Sequence, residues 1–288
     1  MNEPTEAAPA EGDLAPLPSA EGTWQTYPPD PEGDGHTVVG DLQVLGGLYS
    51  PQLDNHRDVI TYLPPSYGTG TRRYPVIYMH DGQNLFDDAT SFAEEWNVDN
   101  TMNALSQVGL EAIVVGVFNT EGRLNEYSPF EDAEGRGGDG DRYLDFLVDT
   151  LKPRIDHDFR TRPGREHTLV AGSSMGGLIS LYAFFRRPDI FGNAGVMSPS
   201  LWFAERSIFP FVEAAPHTPG KVYLDVGTLE GKETVADVRR LRELLLGKGY
   251  RRHRDLVYVE AKGAGHSEVA WSQRLHFAVD FLLRETEW

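Results

Sequence analysis

The five residues Gly172-Ser173-Ser174-Met175-Gly176 constrain this chain more than any other stretch. They fit G-x-S-x-G with Ser174 at the centre. An apolar run, His167-Thr168-Leu169-Val170-Ala171, precedes them, and Leu178-Ile179-Ser180-Leu181-Tyr182-Ala183-Phe184-Phe185 follows. That order specifies a strand turning sharply into a helix at a serine. The serine of such a turn takes a backbone conformation that crowds its neighbours, so glycines stand on both sides. The helix begins at the serine, which aims the Met175 amide and the positive end of the helix dipole at the hydroxyl. A phosphate loop would read G-x-x-x-x-G-K-[ST], and no lysine follows this turn. A frame centred on Ser173 would need glycine at 171 and 175, which are Ala and Met. A glycine-rich turn that only packs remains the alternative, and the rest of the chain has to decide against it.

Apolar runs that read as strands cover residues 40–48, 56–63, 74–79, 111–118, 168–172, 194–197, 221–226 and 256–261. Helical periodicity appears between them. Residues 141–159 place Tyr143, Phe146, Leu147, Leu151 and Ile155 on one face. Residues 233–247 do so with Val235, Val238, Leu241, Leu244 and Leu245, and residues 271–284 with Leu275, Ala278, Phe281 and Leu282. This alternation predicts an α/β fold, a mainly parallel central sheet with helices on both faces. The first two strands, before the alternation sets in, form an antiparallel opening pair. Reacting groups in such sheets collect at the carboxyl ends of the strands.

That rule locates partners for Ser174. A serine hydroxyl is a weak nucleophile at neutral pH and needs a base, and the base needs a group that fixes its tautomer. Behind a turn of this kind the order is serine, acid, histidine. The later histidines are His217, His253, His266 and His276. His217 lies in a proline-rich loop, His253 in a basic cluster before a strand, and His276 in the final helix. His266 directly follows a strand, in Lys262-Gly263-Ala264-Gly265-His266-Ser267-Glu268, and is the candidate base. For the acid, Asp225 and Glu230 compete. Asp225 lies inside the strand at 221–226, whereas Glu230 follows it in a loop, so Glu230 is preferred. Asp237 is a distant third, expected on the solvated face of the next helix.

An oxyanion formed at this serine requires two amide donors. Met175 supplies one. The second is expected from His80-Asp81-Gly82-Gln83, after the strand at 74–79, with Gly82 permitting close approach and Gln83 N–H donating. His80 and Asp81 are not joined in sequence by enough further ligands to make a metal site.

Composition sets the outer limits. The chain has 288 residues, no cysteine and a net charge of −18. Disulfides, thiolate metal sites and cysteine nucleophiles are therefore excluded. Residues 1–36 hold eight acidic side chains, no Lys or Arg and seven prolines. This segment is expected to be disordered, with Trp24 and Tyr27 as the residues able to dock. Residues 37–288 are expected to form one domain. The remaining charge of −10 is spread along it and argues against nucleic acid or an anionic membrane as partner. No apolar run approaches the roughly 18 residues of a membrane span. The N-terminus lacks the pattern of a signal peptide, so the cytoplasm is the expected location.

Seven stretches carry a family resemblance: RDVITYLPPSY (57–67), YPVIYMHDGQNLFD (74–87), RLNEYSP (123–129), GSSMGG (172–177), SPSLWF (198–203), VGTLEG (226–231) and GAGHSEVAW (263–271). Together they resemble the esterase family of α/β-hydrolases that groups siderophore, feruloyl and acetylxylan esterases, S-formylglutathione hydrolases and mycolyltransferases. The resemblance implies an α/β-hydrolase fold, Ser174 as nucleophile, His266 as base, Glu230 as acid, a small-molecule ester as substrate and no cofactor. It leaves the particular ester open. Transfer of the acyl group to an alcohol uses the same residues, and a non-catalytic binding module is the remaining alternative.

Three residues are candidate substrate contacts. Trp202 follows the strand at 194–197, Arg123 follows the strand at 111–118, and Asp81 follows the strand at 74–79. Trp202 either stacks on a ring of the substrate or, with Phe203, packs in the core or in a lid. Arg123 either holds an acidic group of the substrate or pairs with Glu126. The acidic, glycine-rich loop 131–141 does not match the calcium-loop spacing and is expected to be a mobile lid.

Overall fold

The computed structural model describes residues 22–28, 35–92 and 94–284. One sheet of nine strands runs through it: β1 (Gln25–Tyr27), β2 (Asp41–Ser50), β3 (Asn55–Leu63), β4 (Val76–His80), β5 (Ile113–Val117), β6 (Thr168–Ser173), β7 (Asn193–Met197), β8 (Lys221–Gly227) and β9 (Leu256–Ala261). Their spatial order is β1-β2-β3-β5-β4-β6-β7-β8-β9. β1, β2, β3 and β5 pair antiparallel in succession, and every pairing from β5 to β9 is parallel.

The helices are α1 (Val98–Ser106), α2 (Arg123–Glu126), α3 (Gly140–Asp145), α4 (Lys152–Asp158), α5 (Met175–Arg186), α6 (Phe203–Arg206), α7 (Ile208–Ala214), α8 (Lys232–Gly247) and α9 (Glu268–Leu283). α3 and α4 belong to one helical run, joined by a π-helical stretch, Phe146–Leu151. Pro153 has no N–H to give to the Asp149 carbonyl, and the ladder widens just before it.

Strand side chains alternate between two cores. Val76, Tyr78, Val115, Val170, Val196 and Leu224 face α3, α4, α5, α7 and α8. Ile77, Met79, Val114, Leu169, Ala171 and Tyr223 face α1 and α9. The residues of α5 from Met175 to Phe185 are all buried. Each large apolar side chain buried there contributes about 1.5–3 kcal/mol. The helix that starts after Ser174 is thus anchored along almost its whole length. No helix of the described residues is long and apolar enough to cross a membrane.

Two findings differ from the sequence reading. Residues 22–28 lie inside the stretch expected to lack order, yet β1 extends the sheet there. Trp24 Nε1 donates to Asp158 at 2.7 Å and the Tyr27 hydroxyl to Asp87 at 2.7 Å. These are the two residues the sequence marked as able to dock. The expectation for residues 1–21 and 29–34 lies outside the described residues. The loop 131–141 is tied down rather than poised as a lid. Gly138 and Gly140 amides donate to the Ser128 carbonyl, and Gly137 N–H donates to Asn125 Oδ1 at 3.0 Å.

Candidate active site

Ser174 joins β6 to α5 with φ 56° and ψ −122°, outside the regions that a serine ordinarily occupies. Its amide donates to the Met197 carbonyl at 3.1 Å and its own carbonyl accepts from Ser200 N at 2.9 Å. The turn is tight enough that a Cβ on Gly172 would stand 2.9 Å from the Gly176 backbone and 3.0 Å from the His80 ring. Glycine at 172 is therefore a steric requirement. Ser174 Oγ lies 3.2 Å from Ser200 Oγ at the floor of a cleft.

His266 and Glu230 reach the same cleft from adjacent strands. His266 sits in the loop after β9, directly before Ser267, whose hydroxyl accepts from Ala270 N and caps α9. Glu230 sits in the turn between β8 and α8. His266 Nδ1 and Glu230 Oε2 are 2.9 Å apart. The histidine side chain is 41% exposed and the carboxylate 1%, so the imidazole opens to the cleft while its partner does not. Burial pushes the Glu230 carboxyl up, but hydrogen bonds from His266, Ser198 and the Gly227 amide outweigh it and hold it below its usual value. A charged acceptor on Nδ1 selects the tautomer that leaves Nε2 free as a base.

Asp225 is occupied elsewhere. Arg274 grips it through Nε and Nη2, both at 2.9 Å, and the pair is buried. Burial pushes the Asp225 carboxyl up against the opposing pull of Arg274. Asp237, expected in solvent, is buried and accepts from Arg206 Nε at 2.9 Å.

The loop after β4 forms the opposite wall. A Cβ on Gly82 would stand 2.6 Å from the Gly116 backbone, so only glycine lets this loop lie against β5. Asp81 adopts φ 59° and turns the chain into the short 3-10 turn that carries Gln83. Arg123 holds Asp81 through Nε–Oδ1 at 2.7 Å and Nη2–Oδ2 at 2.8 Å, and Asn119 donates to Oδ1 at 2.6 Å. Arg123 does not pair with Glu126, because buried Arg57 takes that carboxylate with two bonds. Burial pushes the Asp81 carboxyl up, and Arg123 and Asn119 outweigh it, leaving it lowered. Beneath the turn, burial pulls the His80 imidazole down to about 4, and its Nδ1 lies 2.9 Å from the Tyr143 hydroxyl.

Two arms meet at Ser174. A cavity of about 480 Å³ is lined by Asp81, Gln83, Phe92, Arg123, His266 and Trp271, among others. A smaller one of about 270 Å³ runs past Pro199, Ser200, Trp202 and Thr234. Trp202 is half exposed at that arm and packs edge-on against Phe203, which is buried in the core, with ring centroids 6.0 Å apart. None of residues 131–141 lines either arm. Phe92, Asn119, Ser200, Trp271 and Arg274 were missed in the sequence. Arg274 carried a signal, a lone charge on the apolar face of the last helix. Among the described residues, no group of three or more His, Asp or Glu is placed to hold a metal ion.

The sheet order and the serine turn define an α/β-hydrolase. The chain belongs to the family described as Putative esterase, whose model matches residues 50–282, and is a carboxylic ester hydrolase. It is 26% identical over 251 residues to the uncharacterised protein YbbA of Bacillus subtilis, covering 83% of this chain and 97% of that one. It is 31% identical over 145 residues to the siderophore triacetylfusarinine C esterase of Aspergillus fumigatus, covering 47% of each. The fold is similar to that of an IroE-like serine hydrolase from Shewanella oneidensis, with a TM-score of 0.69 and 19% identity over 84% of this chain and 80% of the other.

Proposed function

We propose that this protein hydrolyses small-molecule esters through an acyl-enzyme on Ser174, with His266 as general base and Glu230 orienting it. The carrying observation is the 2.9 Å His266–Glu230 pair in the smaller arm of the cleft, which Ser174 also lines. His266 Nε2 takes the Ser174 proton as Oγ attacks the ester carbonyl. The Met175 and Gln83 amides stabilise the resulting oxyanion. Collapse breaks the bond to the alcohol oxygen, which receives the proton from His266. Water then gives a proton to His266 and attacks the acyl carbonyl; collapse releases the acid, and His266 returns the proton to the departing Ser174 Oγ. Catalytic hydrogen bonds tighten on substrate binding, so the Ser200 contact of the free hydroxyl is compatible with this route.

Phe92, Trp96 and Trp271 on one arm and Trp202 on the other favour an ester with ring-bearing or apolar groups on both sides of the carbonyl. The A. fumigatus relative, a siderophore esterase, supports a bulky ester of this kind. Hydrolysis of p-nitrophenyl acetate tests the reading. Ser174→Ala is expected to keep the native circular dichroism and to lose activity by about 10⁴-fold or more. Activity within tenfold of the parent protein would remove Ser174 from the reaction.

A further inference from the structure

The His266–Glu230 pair rests on a second set of side chains that the proposed chemistry does not consume. Ser198 follows β7 and has φ 41°, a strained value for a residue with a Cβ. Its amide lies 3.1 Å from both the carbonyl and Oδ1 of Asp225. Its hydroxyl has three neighbours: Trp271 Nε1 at 2.9 Å, Arg274 Nη2 at 3.0 Å and Glu230 Oε1 at 2.6 Å.

The hydrogen-bond inventory fixes the direction of all three. Indole and guanidinium nitrogens donate and never accept. A hydroxyl has two lone pairs and one proton. Trp271 and Arg274 fill the two lone pairs, so the proton is left for Glu230 Oε1. That oxygen also accepts from the Gly227 amide at 2.6 Å. With Oε1 held by two donors, Oε2 is the oxygen presented to His266. Arg274 is itself immobilised by the two bonds to Asp225 and by Nη1 to the Ala270 carbonyl at 2.9 Å. Trp271 and Arg274 lie one turn apart on α9, the helix that starts two residues after His266. One rigid helix therefore carries the base at its entry and the clamp on its first turns.

We propose that Ser198 is a positioning residue, whose hydroxyl, aimed by Trp271 and Arg274, locks the Glu230 carboxylate onto His266. The proposal rests on the reading of Glu230 as the orienting acid. If position 198 served only the turn, glycine would suit its backbone angle better than serine does.

A double-mutant cycle on p-nitrophenyl acetate hydrolysis tests it. Ser198→Gly removes the hydroxyl and relieves the backbone angle. In the parent protein it is expected to lower kcat by about 10–100-fold with KM within about twofold, as the base loses its alignment. In a Glu230→Gln background the same substitution is expected to change kcat by less than about twofold, because nothing is left to position. A purely structural role would give the same loss in both backgrounds. Equal losses, or no loss from Ser198→Gly in the parent, would overturn the proposal while leaving the triad standing. An unchanged kcat in Glu230→Gln alone would instead sink the orienting-acid reading and the proposal with it. Should Ser198→Gly fail to fold, Trp271→Phe decides the matter. It deletes one donor that aims the hydroxyl, and its expected loss of about two- to fivefold in kcat must also vanish in the Glu230→Gln background.

Discussion

His80 makes the stability of the serine turn depend on pH in a way that can be calculated. The ring lies against Gly172 and Gly176, directly under Ser174, and is 2% exposed. Burial lowers its folded pKa from 6.5 to about 4. Above the unfolded value neither state binds a proton, and the group leaves stability independent of pH. Between 6.5 and about 4 the unfolded chain takes up a proton that the folded chain refuses, so stability falls as the pH falls. The slope is about 1.4 kcal/mol per pH unit, and the loss across the window about 3 kcal/mol. Glu230 has a lowered pKa and loses its stabilisation as pH falls through its folded value, in parent and variant alike; Asp81, also lowered, is held mainly by Arg123 and Asn119, which both proteins keep. His80→Asn isolates the histidine: an amide keeps a hydrogen bond to Tyr143 and carries no proton to titrate. Urea unfolding followed by circular dichroism, from about pH 7.5 to about 4.5, gives the two stability curves. Any fixed cost of the substitution cancels in the pH dependence of their difference. The variant is expected to lose about 2–3 kcal/mol less than the parent between about pH 6.5 and 4.5. Curves parallel to within about 0.5 kcal/mol would refute the account of a neutral, buried imidazole.

Two further substitutions probe the walls of the cleft. Glu230→Gln replaces the charged acceptor with an amide that can present its N–H to His266 and favour the wrong tautomer. A fall in kcat of about 10³–10⁴-fold with little change in KM is expected, and a fall below about threefold would exclude Glu230 from catalysis. Arg123→Met strips the cation from the largely buried Asp81 and is expected to cost about 3 kcal/mol in urea unfolding. Adding Asp81→Asn to that variant should recover part of the loss, and purely additive costs would contradict a direct Arg123–Asp81 dependence.

Local signals made much of this molecule legible from sequence. The turn at Ser174 was legible because the strand, the turn and the helix that build its geometry are contiguous. Glu230 rather than Asp225 meets His266 because a loop carboxylate can turn towards a neighbouring loop, while the one inside β8 is committed to the sheet and to Arg274. What the sequence concealed were contacts made between distant elements. Arg123 had a plausible partner three residues away in Glu126, but Arg57, from β3, claims it and leaves Arg123 to Asp81. Loop 131–141 had the composition of a lid, yet its amides are bound by Asn125 and Ser128. Asp237 had the helical position of a surface residue until Arg206 folded over it. The short β1 escaped notice because acidic and proline-rich neighbours hid three residues that pair with β2.

The central claim is that Ser174 is the nucleophile. A fluorophosphonate probe followed by mass spectrometry of the digested protein tests it most directly. One covalent adduct on the peptide carrying Ser174, absent from Ser174→Ala and formed more slowly when excess ester substrate competes during labelling, is the predicted result. An adduct on another residue, or an unlabelled protein that still hydrolyses p-nitrophenyl acetate, would contradict it.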